Sequence, residues 1–258
     1  MSAYIATFKR IETKYLVSNE QRQALESALV EHMEVDDYGK TLISSMYWDT
    51  AHRDMIARSI EHPLYKEKVR LRRYGQHMAL DNEECFVELK TKYDGVVYKR
   101  RCRMSSLAAS LLLQGHSYES SCLSFPLKRS QYGNCELSSR SRQVGAELEA
   151  LCRRQDELEP SVLIECERTA WRLLPDSPDA ATQLRITFDE ALTYQDLTDI
   201  KSHKTPMLGT ELSVLEIKAQ GGMPLWLAEA LSAIGIHPAS FTKYGTAYKE
   251  LYSAQSAA

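Results

Sequence analysis

Lysine, arginine and glutamate recur on alternate residues in segment after segment of this sequence, a spacing that lets the wall of a sheet face a polyanion. In Phe8–Val17, Arg10, Glu12 and Lys14 fall on one side of an extended chain, and Ile11, Thr13 and Tyr15 on the other. Lys66–Tyr74 sets Lys66, Lys68, Arg70 and Arg72 against Val69 and Leu71. Cys85–Tyr93 puts Glu88, Lys90 and Lys92 on a common face, and Val96–Met104 does the same with Lys99, Arg101 and Arg103. Val162–Trp171 carries Glu165, Glu167 and Arg168. Gln183–Glu190 opposes Arg185, Thr187 and Asp189 to Leu184, Ile186 and Phe188, and Leu212–Ala219 opposes Glu216 and Lys218 to Leu215 and Ile217.

Two readings of these faces stand side by side. An antiparallel sheet commonly buries one face and solvates the other, and the solvated face is polar. Like charges placed next to one another repel, however, so such clustering gains nothing unless an anion sits among them. With the charged faces turned inward, a closed barrel would be a cationic tunnel fit for linked phosphoryl groups, each met by Lys or Arg. The interspersed carboxylates would orient the cations or hold a divalent metal through oxygen.

The elements that must carry these faces can be read in outline. Ser18 opens a helix whose body is Gln21–His32, and Leu42–Asp49 is an apolar, aromatic strand. His52–Ser59 reads as a short helix or turn, and Gln76–Glu83 as a polar loop. Asp94-Gly95 between two strands is the dipeptide of a two-residue type I′ hairpin. Ser105 caps a helix reaching Gln114, and Gln143–Arg154 is an amphipathic helix whose connection ends at Glu159-Pro160. Between them, the Ser-rich stretch 115–141 reads as an extended loop with room for one short strand. Pro224–Ile234 is a helix with proline in its first turn, Lys243–Tyr252 a closing helix, and Ser253–Ala258 a frayed tail.

Bulk properties exclude several classes. A net charge of −3 argues against a general nucleic-acid binder, so any anion site arises from local placement. No run of about 18 apolar residues is present, so no membrane span is expected. Nothing at the N-terminus resembles an export signal. Cys85, Cys102, Cys122, Cys135, Cys152 and Cys166 form no C-x-x-C pair and read as reduced thiols of a cytoplasmic protein. There is no Walker A loop and no metal-ligand histidine spacing, and Trp48, Trp171 and Trp226 read as core.

In order along the chain, these segments resemble the VTC-type polyphosphate polymerase domain, a branch of the triphosphate tunnel metalloenzymes. "FKRIETKYLV" matches its E-x-K strand through Glu12 and Lys14, and "SMYWDT" its aromatic strand. "YKEKVRLRRYG" supplies K-x-R-x-R through Lys68, Arg70 and Arg72, and "VELKTKYDGVVYKRR" the central hairpin with Glu88, Lys90, Lys99 and Arg101. "ECERTAW" offers Arg168, "LRITFD" Arg185 and Asp189, "LEIK" Glu216 and Lys218, and "SFTKYGTAY" the lysine of the closing helix, Lys243. Any one element is weak, but eight in order are specific. Cys166 departs from the family where an aromatic is usual, and Thr242 replaces a serine. No SPX-like regulatory domain accompanies the segments.

The resemblance implies an α+β fold: one domain over 1–258, a closed antiparallel barrel of about eight strands with flanking helices. It implies transfer of the γ-phosphate of ATP onto a phosphate, pyrophosphate or polyphosphate chain. A hydrolase of tripolyphosphate or nucleoside triphosphate is the alternative, and a binding module without turnover a further one. Arg70, Arg72, Lys90, Lys99, Arg101, Arg168 and Arg185 are the expected phosphate contacts. Arg10, Lys14, Lys68, Lys218 and Lys243 are expected to guide substrate. Glu216 is the first candidate ligand for Mn²⁺ or Mg²⁺, with Glu12 and Glu88 beside it.

Overall fold

A computed structural model describes residues 10–94, 96–127, 137–155 and 157–255, without the side chains of Arg10 and of residues 252–255. The strands are β1 Arg10–Ser18, β2 Met33–Thr50, β3 Tyr65–Tyr74, β4 Glu84–Tyr93, β5 Val96–Ser105, β6 Leu158–Leu173, β7 Arg185–Asp196, β8 Thr205–Pro206 and β9 Leu212–Gln220. The helices are α1 Asn19–Leu29, α2 Asp54–Ile60, α3 Ser106–Leu113, α4 Tyr118–Ser124, α5 Ser139–Arg154, α6 Leu225–Ile234 and α7 Lys243–Gln255. The α+β class is as expected.

Local chemistry explains several boundaries. Ser18 and Gln21 form a capping box on α1, each side chain accepting the other's backbone N–H at 3.1 Å. Ser105 Oγ accepts the Ala108 N–H at 3.1 Å and starts α3. Gly235 ends α6 at φ 73, a conformation that suits a residue without Cβ. Asp94 takes φ 44 at the β4–β5 turn, as the hairpin reading required; its partner Gly95 lies outside the described residues.

Two expectations are corrected. The Ser-rich stretch is not loop throughout: Ser117 caps the helix α4, accepting from Ser120 N at 3.2 Å, and residues 128–136 lie outside the described set. Glu159 and Pro160 lie inside β6, not in a connection. Closure of the sheet into a barrel is not seen among the described residues. Hydrogen bonding runs β1-β9-β7-β6-β2-β3-β4-β5, with β8 on β7, so among the described residues the order keeps two ends, β1 and β5. Side chains from Val96 to Arg101 of β5 are all exposed, as on an unpaired edge. The frayed tail falls partly outside the description, since 256–258 are not described and α7 runs to Gln255.

The chain forms two compact units, neither of them a continuous stretch. The first comprises residues up to Thr41, Cys166–Leu192 and Leu208–Phe241. Its core joins Leu25 and Leu29 of α1, Phe188 of β7, Leu215 and Ile217 of β9 and Leu227 of α6. The second comprises Leu42–Glu165, Thr193–Met207 and the residues from Thr242 onward. There Val69, Leu71, Val87 and Met104 pack with Leu112 of α3 and Leu148 of α5. Gly145 of α5 permits close approach of α4, because a Cβ there would lie 2.3 Å from the Tyr118 ring. Each such large apolar side chain contributes about 1.5–3 kcal/mol when buried. With alternate residues fixed in a core, the intervening charged residues must take the opposite face of each strand.

Candidate anion site

In the second unit, strand register sorts the charged residues into rows across β3, β4 and β5. Lys68, Lys90 and Lys99 are opposite one another, followed by Arg70, Glu88 and Arg101, then Arg72, Phe86 and Arg103. Lys66 and Lys92 form a further row at the hairpin end. Tyr47 of β2 joins the Arg70 row and Ser45 the Arg72 row. Residues opposite each other in antiparallel strands share a face. Arg70, Arg72, Lys68, Lys90, Lys99, Arg101 and Glu88 therefore stand on one surface.

Glu88 is the pivot of this surface and is 2% exposed. Its Oε2 accepts from Arg70 Nε at 2.9 Å and Nη2 at 2.7 Å, and lies 3.8 Å from Arg72 Nη1. Lys99 Nζ lies 2.8 Å from Oε1 and pairs with it. Burial alone would raise the Glu88 pKa, but Arg70, Arg72 and Lys99 outweigh it and hold the carboxyl well below its usual range. Arg70 also donates from Nη1 to the Tyr47 hydroxyl at 2.8 Å. Its three nitrogens are thus all engaged, with two of five N–H groups left over for a ligand. Arg72 Nε donates to Ser45 Oγ at 3.2 Å, and the Arg101 guanidinium lies 4.8 Å from the Phe86 ring centre.

An aromatic support backs the array. Tyr47 stacks on Tyr244 of α7, centroids 4.4 Å apart, and Lys68 lies 5.9 Å from the Tyr244 ring centre. The Tyr244 hydroxyl reaches Asp49 Oδ2 at 2.8 Å and Ser161 Oγ at 3.0 Å, all buried. Asp49 also accepts the backbone N–H groups of Met55 and Ile56, tying β2 to the start of α2. Burial pushes the Tyr47 pKa up, yet Arg70, Arg72 and Lys68 bring it down to about 8. Burial lowers Lys68 to about 8 as well, with repulsion from Lys66, Lys90 and Arg70 adding to it and Tyr47 opposing. Lys243, expected on the closing helix, opens α7 beside Tyr244.

The first unit carries a separate charged face on β1, β9 and β7. Lys218 is opposite Glu12 on one side and Arg185 on the other, and Glu216 likewise lies between Lys14 and Thr187. Lys14 pairs with Glu12 and sits 3.5 Å from Glu216, while Lys218 pairs with Glu216 and sits 4.0 Å from Glu12. Arg168 grips Asp189 with two bonds of 2.6 and 2.7 Å, so Asp189 is an ion-pair partner. Arg185 is exposed and bonds Asp36 at 2.9 Å. The backbone of Arg10 pairs with Gln220; its side chain lies outside the described set.

For a divalent metal, Glu12 and Glu216 are hard oxygen donors on neighbouring strands, and two ammonium groups now bridge them. No three His, Cys, Asp or Glu among the described residues converge into a ready cage. That donor set fits Mg²⁺ or Mn²⁺, which take one or two carboxylates and complete their shell with phosphate oxygens and water. Glu88, saturated by cations in the second unit, is arranged as a charge balancer.

Sequence reasoning missed Tyr47, Asp49, Ser161 and Tyr244 as a set. The signal available was the aromatic strand "SMYWDT" and the tyrosine following Lys243. Among the described residues no helix is long and apolar enough to cross a membrane, and none of Cys85, Cys102, Cys122, Cys152 and Cys166 is in a disulfide.

No curated protein matches the chain. Solved structures similar to it include a suggested adenylate cyclase from Vibrio parahaemolyticus and a protein from Pyrococcus horikoshii. The first shows 11% identity and a TM-score of 0.45, over 96% of this chain and 99% of that one. The second shows 10% identity and a TM-score of 0.38, over 90% and 96%. Nothing about function rests on likenesses of that strength. The family model described as VTC domain matches residues 9–252, nearly the whole sequence. The chain belongs to the VTC domain family.

Proposed function

We propose that this protein is an ATP-dependent polyphosphate polymerase. The observation that carries the reading is the array of cationic rows around buried Glu88, in which like charges face one another across strands. Such an arrangement is costly unless an anion fills it. Membership of the VTC domain family supports the same class of substrate. The enclosing tunnel expected from the resemblance is part of this proposal.

Phosphoryl transfer needs alignment and charge stabilisation more than covalent help from the protein. An oxygen of the acceptor phosphate bonds to the γ-phosphorus, the bond to the β–γ bridging oxygen breaks, and its electron pair leaves with ADP. Arg70, Arg72, Lys90, Lys99, Arg101, Arg168 and Arg185 would bear on the phosphoryl oxygens. Lys14, Lys68, Lys218, Lys243 and Arg10 would guide substrate and product. Glu88 orients Arg70 towards its remaining donors. Glu216 and Glu12 would hold Mn²⁺ or Mg²⁺, which supplies further charge neutralisation on phosphate oxygens when bound. The reading takes the cytoplasm, where ATP is at hand, as the compartment.

The test is incubation of pure protein with ATP, Mn²⁺ and a pyrophosphate primer, followed by gel analysis. Polymer and ADP are expected together. Free phosphate without polymer would replace this reading with hydrolysis, and binding without ADP release would leave a binding module.

A further inference from the structure

Resting on the reading that Glu216 and Glu12 hold the divalent cation, we infer that the Thr187 hydroxyl is a further oxygen donor to that ion.

Thr187 lies on β7 directly opposite Glu216 of β9, which in turn faces Lys14 of β1. Its chain neighbours Ile186 and Phe188 are fixed in the core of the first unit, as are Leu215 and Ile217 on β9. Thr187 and Glu216 must therefore share the opposite, charged face, their Cβ atoms about 5 Å apart as cross-strand partners. All of these residues belong to one compact unit.

Thr187 is 3% exposed, and its Oγ1 has no hydrogen-bond partner among the described residues. A buried hydroxyl in that state costs stability that a valine of nearly the same shape would not. The two ammonium groups of the face are engaged by carboxylates. Lys14 pairs with Glu12 and lies 3.5 Å from Glu216, and Lys218 pairs with Glu216 and lies 4.0 Å from Glu12. The Thr187 oxygen is left beside Glu216 with lone pairs that no described group uses.

An uncharged oxygen suits this position. Mg²⁺ and Mn²⁺ are hard ions that combine one or two carboxylates with neutral oxygen ligands. Among the described residues no third acidic side chain converges with Glu12 and Glu216. A further carboxylate would in any case repel the phosphoryl oxygens that must share the ion. A threonine hydroxyl adds a ligand without adding negative charge.

The experiment measures Mn²⁺ uptake by the full chain, without phosphate, from the electron paramagnetic resonance of the free ion. Thr187→Val should weaken Mn²⁺ binding about tenfold, and Thr187→Ser should restore it. Thr187→Cys should also bind Mn²⁺ weakly but take up Cd²⁺ more tightly than wild type, because sulfur is a soft ligand. Without metal, the valine variant should melt at or above the wild-type temperature, having lost an unsatisfied hydroxyl. Unchanged Mn²⁺ binding by Thr187→Val, alongside its loss in Glu216→Gln, would overturn the role of Thr187 and leave the carboxylate site standing. A valine variant less stable than wild type without metal would overturn it too, by showing that the hydroxyl serves the fold. So would normal Mn²⁺ binding with weakened tripolyphosphate binding in EDTA, which would give the hydroxyl to a phosphoryl oxygen. Wild-type protein that takes up no Mn²⁺ would overturn the carboxylate reading, and Thr187 with it.

Discussion

Replacing Glu88 by glutamine tests whether this carboxylate is the charge balancer of the array. The side chain is 2% exposed and serves Arg70 through one oxygen while Lys99 lies 2.8 Å from the other. Glutamine keeps the shape but removes the charge, leaving Arg70, Arg72 and Lys99 mutually repelling. Breaking one partner of a buried ionic cluster costs about 3–5 kcal/mol. For a chain of this size that corresponds to a fall in Tm of about 10 °C, followed by circular dichroism. The sign with pH follows from the depressed pKa. Glu88's contribution is whole above the unfolded carboxylate value of about 4.3 and is lost as pH falls from there towards the lower folded value. The Tm difference between wild type and variant should therefore narrow in acid. Tripolyphosphate should raise the Tm of the variant more than that of wild type, because an external anion replaces the missing charge. A variant as stable as wild type at pH 7, with the same ligand response, would refute the reasoning.

Three further outcomes are expected. Phenolate absorbance at alkaline pH should include one tyrosine titrating at about 8, and Tyr47→Phe should abolish that component. Glu216→Gln should lower metal-dependent turnover more than polyphosphate binding; equal losses would mean that Glu216 only supports the wall through Lys14 and Lys218. Gly145→Ala, ordinarily worth about 0.5–1 kcal/mol to a helix, should instead destabilise in urea titration, because the new Cβ meets the Tyr118 ring.

The charged strands were legible because period-two alternation survives whatever the partner strand is, and Asp94 marked the hairpin by its tolerance of positive φ. Strand β2 was read from Leu42, whereas it begins at Met33: its first half is polar and, beyond Met33, exposed or half-buried, so no core face announces it. Helix α4 was hidden by serines that look like loop residues yet act as cap and buried back-bonder, as Ser117 and Ser121 do. Within the site, residue types and faces were readable, but pairing was not. Whether Glu88 serves a metal or three cations depends on neighbours from two other strands, and sequence spacing along β4 carries no record of them.

The hydrogen bond between Asp49 and Tyr244 spans 195 positions of the chain. During synthesis, β2 through β5 leave the ribosome long before α7 exists, so the cationic rows can assemble while the tyrosine that stacks behind Tyr47 is still missing. Closing so distant a contact comes late and slowly. A nascent chain at that stage would carry the cationic rows without the ring that stacks on Tyr47, and α7 is the element whose arrival supplies it.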